Sequence, residues 1–407
     1  MPKSFLPILF FLAAWIGLAV GIHTVMQNNT MGSDFYLFYH GGQNVFFDHT
    51  NPYSDEAARL NQLAIFKRLV KPGEDQLGFA YPPYALLPVW PLLGLSFDWA
   101  QAIWTGFLLL SLVSAVALAY PGAPAWISLS VLFIYPFTFG LILGNFAILI
   151  GGILLLVYNR INRPPIPGRA AQVLLGLLLA WATAKPQFVW LFVLFFLLAA
   201  FRRRWWTLLG AFAAGLVFFI AISFAIVPGW PALWLERLSK YAVYTQAWPT
   251  AAIILKDFLP LEAVIPVTLV LGAILLVASA WLFLRWWKER LDPTLLLAWC
   301  GFVVYSLHPW GKSYEQIDYL LPLVVWACQL QKARSPARLV FWLGSLILSW
   351  AAFYISSQAG APSGSSEWPL IFNAVWVTWL FYKARGGLLQ FAIPRESLNS
   401  GRGGQAG

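Results

Sequence analysis

Apolar runs of about 17–25 residues recur along this chain, with short clusters of Arg and Lys between them. A run of that length and polarity matches what a helix needs to cross the hydrocarbon layer of a bilayer. Inside that layer the backbone must satisfy its own hydrogen bonds, which leaves only helices or closed barrels. The barrel alternative needs alternating segments of about ten residues, and these runs do not alternate. Charged residues are 10% of the 407, against roughly 25% in a soluble domain. The fold class expected is an all-α polytopic membrane protein. Its spans fall at about 5–26, 98–120, 123–141, 145–158, 170–184, 186–201, 205–227, 264–286, 293–307, 317–331, 338–357 and 368–383, a bundle of about twelve helices. The first run is too long for the apolar part of a signal peptide and is expected to be a retained span.

A net charge of +10 would fit nucleic acid if it were pooled on one domain. Here it is dispersed into the gaps, as Arg160, Arg163 and Arg169, then Arg202 to Arg204, then Arg285, Lys288 and Arg290, and on to the C-terminus. Such clusters set orientation by the positive-inside rule, so no nucleic-acid partner is expected. With both termini cytoplasmic, 17 of 26 basic residues fall inside and 13 of 16 acidic residues outside, a separation of sign that supports the threading. The expected location is a bacterial inner membrane. Residues 82–95 are apolar but short and carry Pro82, Pro83, Pro88 and Pro91, so they are expected to be broken or re-entrant near the outer face. Cys300 and Cys328 read as buried apolar residues, and no cofactor or metal is expected from any cluster of ligand-type side chains.

The outer parts carry the unusual polar residues. A first loop, 27–81, holds a helix near Asp34–Phe47, an Asn51-Pro52-Tyr53 turn and an amphipathic stretch near Asp55–Val70. Asn145 follows Gly144 at a helix start, and Lys185 precedes Pro186 in a helix break. His308 opens a loop that continues to Lys312 and Glu315. Polar groups at the edges of membrane helices are functional candidates. Each also has a structural reading: Asp34 and Asn145 as helix caps, Lys185 as a side chain reaching for the interface, His308 as a packed histidine. Under the charge-derived topology all of them lie on the outer face. Their chemistry suits a donor whose leaving group is a phosphate. A carboxylate takes the proton of an attacking hydroxyl, and Lys185, Lys312 or His308 supplies positive charge or donors to the departing phosphate. One carboxylate suffices for a single inverting displacement. A transporter or flippase of a lipid-linked substrate is the alternative; it would place ionisable groups at mid-membrane and show repeat symmetry.

Several motifs, taken together, resemble the family 87 glycosyltransferases. They are Ser33-Asp34-Phe35-Tyr36 with Tyr39 and Gly41, Asn51-Pro52-Tyr53, Phe79-Ala80-Tyr81-Pro82-Pro83, Tyr135-Pro136-Phe137 with Gly144-Asn145, Lys185-Pro186, and His308. The resemblance spans roughly residues 1–320. It implies a GT-C transmembrane bundle with an outward-facing catalytic cavity and a polyprenyl-phosphate-sugar donor, mannose by analogy. It also implies a lipid or glycan acceptor. It carries the catalytic base to Asp34, the donor phosphate to His308 and Lys185, and leaves Lys312, Tyr81 and Asn145 as donor-side residues. Tyr36, Tyr39, Asn51, Tyr53 and Glu315 are acceptor or loop candidates. The family's usual Gly-Gln pair is Gly144-Asn145 here, a departure that bears on a sugar or acceptor contact. The expected organisation is a catalytic module at 1–331, C-terminal helices at 332–385 and a disordered tail at 386–407.

Overall fold

The computed structural model describes residues 5–309, apart from 28, 30–31, 72–73, 121–123, 163–165 and 245–247; beyond 309 it describes only a few positions between 324 and 378. Among the described residues the chain is helical and has no strand. α1 (Phe5–Met26) leads to a polar loop, the one expected on the outer face, that carries α2 (Ser33–Phe46) and α3 (Asp55–Phe66). Two single 3₁₀ turns follow, Pro83–Leu86 and Trp90–Leu92, then α4 (Phe97–Ala119). Next come α5 (Ala125–Ser130), α6 (Tyr135–Leu143), α7 (Ala147–Asn162), α8 (Arg169–Ala182), α9 (Pro186–Arg202) and α10 (Trp206–Ile226). The second outer part supplies α11 (Trp230–Tyr244) and α12 (Thr250–Leu255), and the series closes on α13 (Leu261–Trp287) and α14 (Pro293–Leu307). Among the described residues four helices are long and apolar enough to cross a membrane, within α1, α4, α10 and α13; α7, α8, α9 and α14 are shorter apolar helices. The expected spans at 317–331 and 368–383, most of 338–357, and the tail at 386–407 lie outside the described residues.

One expected span is not a single helix. Within the expected span 123–141, α5 with the 3₁₀ turn that continues it to Phe133 and α6 are bent by 67° relative to each other, the break falling at Ile134. Pro136 stands in the first turn of α6, where a ring without an N–H is tolerated, and Ile134 before it is extended. The apolar composition is continuous through the break, so hydropathy alone could not show it. The stretch at 82–95 is irregular, as its prolines require. Its backbone is met by protein: Tyr84 N–H donates to Ser223 Oγ of α10 at 3.1 Å, and Tyr84 Oη pairs with Thr183 Oγ1 beyond α8 at 3.0 Å. Irregular backbone at membrane depth needs such partners.

Alternating helix direction sorts the loops into two ends. α7 begins beside Asp34 and ends near Arg160, and Tyr158 in that last turn meets Thr294, at the start of α14, with 2.8 Å between hydroxyl oxygens. Arg202, closing α9, donates to the Trp286 carbonyl at 3.2 Å and pairs with Glu289 beyond α13. The basic clusters at Arg160, Arg169, Arg202 and Arg285 therefore gather at the end opposite Asp34. α8 and α10 make the closest pairing in the bundle. A Cβ on Gly176 would lie 2.6 Å from the Leu208 carbonyl oxygen and 2.9 Å from the Phe212 nitrogen, so only glycine permits this approach. On α10, Gly210 faces open space. Gly176→Ala is expected to force the two backbones apart and cost about 1–3 kcal/mol, while Gly210→Ala is tolerated. Thermal unfolding of the two variants in detergent checks this; equal midpoints would contradict the close approach.

Candidate functional site

α2 holds Asp34 as its second residue. Gly32 occupies the cap position without a side-chain bond, so Asp34 does not serve as the N-cap; its charge sits in the first helical turn, where the helix dipole favours an anion. Aromatic packing fixes the helix below. Phe35 stacks on Trp104 of α4 with ring centroids 5.6 Å apart, and Phe38 meets Phe146 at 4.7 Å. Both phenylalanines are fully buried.

The link between α6 and α7 completes the carboxylate's surroundings. Gly144 ends α6 in the left-handed region at φ +68, and a Cβ there would lie 2.6 Å from the Cβ of Phe35. Trp104 Nε1–H donates to the Gly144 carbonyl at 2.8 Å, which holds the turn. Asn145 follows, fully buried, and does two things at once. Its Oδ1 accepts the Ala147 N–H at 2.8 Å, which caps α7, and its Nδ2 donates to Asp34 Oδ2 at 2.8 Å. Cap and carboxylate partner are thus one side chain. An amide donor orients the carboxylate without placing a formal positive charge on that oxygen.

Lys185 and His308 come to the same end of the bundle. Lys185 immediately precedes α9 and is 1% exposed, its Nζ 5.3 Å from the centre of the Phe188 ring. His308 closes α14, is 1% exposed, and its carbonyl accepts the Thr250 N–H at 3.1 Å. α9 and α14 pack antiparallel, so the start of one and the end of the other share a level. A lysine at such burial is uncommon and marks a candidate for an anionic ligand.

The outer loop is locked by a residue the sequence analysis did not single out. Arg237 of α11 is 3% exposed and runs through the first loop. It donates through Nε to the Tyr53 carbonyl at 2.9 Å and through Nη2 to the same oxygen, and it pairs with Asp55 at 3.0 Å. Asn51 Oδ1 accepts the Tyr53 N–H at 2.9 Å, making the Asn-Pro-Tyr turn a side-chain-closed one. Tyr53 Oη–H in turn donates to the Tyr81 carbonyl at 2.6 Å, and the Tyr81 ring packs on Phe38 and Phe146, each centroid 5.0 Å away. Trp234, one turn before Arg237, donates to the Ala80 carbonyl at 3.0 Å. Tyr39 Oη–H donates to the Leu95 carbonyl at 2.5 Å, and Tyr36 lies edge-on to Phe97. Burial pushes the phenols of Tyr36, Tyr39 and Tyr53 up, so all three stay protonated at neutral pH. Tyr39, Asn51, Tyr53 and Tyr81 therefore brace the loop around Asp34. Lys312 and Glu315 lie outside the described residues. Among the described residues no group of three His, Cys, Asp or Glu side chains is placed to hold a metal.

A family model described as glycosyltransferase family 87 matches residues 79–309, more than half of the chain. The matched stretch contains Tyr81, Asn145, Lys185, Arg237 and His308; Asp34 precedes it. No curated protein and no solved structure matches the chain.

Asp55 provides a pH handle on the loop. The Lys240 ammonium, 3.0 Å from it, holds its carboxyl below the ordinary value of 3.8; burial opposes this, and Arg237 adds to the lowering. A depressed carboxylate stabilises the fold above its unfolded value and loses that contribution as pH falls through its folded value. Hydrogen exchange at residues 51–56, measured relative to the intrinsic rate at each pH, is therefore expected to quicken below about pH 4. Arg237→Ala should quicken it at neutral pH and lower the unfolding midpoint, because a buried carbonyl without its donor costs about 1–3 kcal/mol. Unchanged exchange in Arg237→Ala would remove the clamp.

Proposed function

The chain belongs to glycosyltransferase family 87, and we propose that it is an inverting transferase of the outer membrane face. It moves a sugar from a polyprenyl-phosphate donor, mannose being the family's guide, to a lipid or glycan acceptor. The observation that carries this reading is the 2.8 Å bond from Asn145 to Asp34. It joins a residue of the family-matched segment to a carboxylate that lies before it, at the outer end of the bundle.

In the proposed reaction the acceptor hydroxyl attacks the anomeric carbon as the bond from that carbon to the phosphate oxygen breaks. The electron pair leaves on the phosphate, and the proton goes to the Asp34 carboxylate. Asn145 fixes the rotation of that carboxylate, so the base is aligned before substrate arrives. Lys185 and His308, at the ends of α9 and α14, receive the phosphate as its charge grows. A phosphate is already a good leaving group, so positive charge and positioning are what the protein has to add. Burial of Lys185 is consistent with this, because a cation held out of water interacts strongly with an incoming anion.

Asp34→Asn is expected to abolish sugar transfer, by about 10²–10⁴-fold, in membranes given radiolabelled polyprenyl-phosphate-mannose and a lipid extract, while expression and donor binding persist. Normal transfer by this variant would remove Asp34 as the base. Asn145→Asp separates the two tasks of that side chain. It keeps an acceptor for the Ala147 N–H but sets a second carboxylate against Asp34. A like charge resists deprotonation, so the acidic limb of the activity profile should move to higher pH in the protein that remains folded. An unmoved limb would show that Asp34 does not titrate in turnover.

A further inference from the structure

The proline-rich stretch at 82–95 carries a contact that the proposed mechanism does not use. Tyr84 is buried, its ring stacked on Phe219 of α10 with centroids 5.5 Å apart. Its hydroxyl lies 3.0 Å from Thr183 Oγ1. The Thr183 hydroxyl gives its own proton to the Ala180 carbonyl, at 2.6 Å. The direction of the pair follows: Tyr84 donates and Thr183 accepts. Thr183 stands in the break between α8 and α9, two residues before Lys185. The N–H groups of Thr183, Ala184 and Lys185 reach back three residues, to Ala180, Trp181 and Ala182, at 3.2, 2.9 and 3.3 Å. Bonds of this reach have poorer geometry than those of an α-helix, so the turn supports itself weakly. Its backbone nevertheless sets where the buried Lys185 side chain is delivered. The Tyr84 hydroxyl braces it from a part of the chain 99 residues away.

The other end of the same segment is fixed to the carboxylate side. Tyr81 packs on Phe38, one turn beyond Asp34, and on Phe146, the residue after Asn145. Pro82 and Pro83 join the two tyrosines with little backbone freedom. Phe146 also meets Trp181, with ring centroids 5.7 Å apart, so the turn bearing Thr183 leans on the neighbour of Asn145. Tyr81 to Tyr84 thus reach from the Asp34–Asn145 pair to the Lys185 turn as a spacer of fixed length.

We propose that Tyr84 is a positioning residue for the donor phosphate, its hydroxyl holding Lys185 in place through Thr183. The assignment rests on the transferase reading, in which Lys185 receives that phosphate, and adds to it the spacer that sets cation against base. The full-length protein in phosphatidylcholine nanodiscs, titrated with radiolabelled polyprenyl monophosphate, provides the test. Tyr84→Phe keeps the stacked ring and the backbone N–H to Ser223 and deletes the hydroxyl alone. It is expected to weaken binding about three- to ten-fold, the size of one neutral hydrogen bond. Thr183→Ala, which removes the acceptor, should weaken it by a similar factor. Thr183→Ser, which keeps the acceptor, should bind as the wild type does. Lys185→Met should weaken binding more, and in that background Tyr84→Phe should have no further effect, because the two act as one unit. A hydroxyl with a merely structural role would weaken binding equally in both backgrounds, and that result overturns the proposal. Wild-type affinity in Tyr84→Phe beside a weakened Lys185→Met defeats the spacer alone. Wild-type affinity in Lys185→Met defeats the phosphate role of Lys185 in the transferase reading, and the spacer with it.

Discussion

The buried amide of Asn145 ties the 27–81 loop to the helical bundle. Asn145 bonds Asp34 across 111 residues of chain and in the same position begins α7. Neither function allows much freedom to the other. The Asn145 side chain reaches Asp34 only because Gly144 turns left-handed against Phe35, and that turn is held by Trp104. The aromatic rings beneath α2 then set the angle at which the carboxylate is presented. Rigid packing below and an amide above fix the geometry of this carboxylate before any ligand arrives.

The helices that end at the site are the short ones. α7, α8, α9 and α14 have 16, 14, 17 and 15 residues, about 21–26 Å of rise, against a hydrocarbon core of about 30 Å. Their opposite ends carry charge, at Arg160, Arg169, Arg202 and Asp292, which favours the interface there. Asn145, Lys185 and His308 stand at the ends of these helices opposite the charged ones.

Much of the bundle was legible in the sequence. Long apolar runs bounded by charge or proline leave few alternatives; the span at 293–307, between Asp292 and His308, coincides with α14. The break in 123–141 was not legible, because a proline in the first turn of a helix and a proline in its middle look alike in a hydropathy profile. Asn145 was visible as a cap, and the spacing of residues gives no hint that its other end would reach Asp34. Arg237 escaped for a different reason. It sits among Glu236 and Lys240 on an amphipathic helix, where a charged residue is ordinarily a solvated one. Its burial depends on a loop some 180 residues earlier, a relation that local pattern does not encode.

The separation of these partners bears on the order in which the protein can be made. Tyr53 leaves the ribosome 184 residues before the arginine that locks it. At about 5–20 residues per second, the outer loop is translocated and then waits roughly 10–40 s before α11 arrives. Throughout that interval its carboxylate-bearing helix has no lid of its own. The Asp34–Asn145 bond can form once α6 has been made, whereas the Tyr53–Arg237 clamp must wait for α11, so the loop is secured in two separate stages.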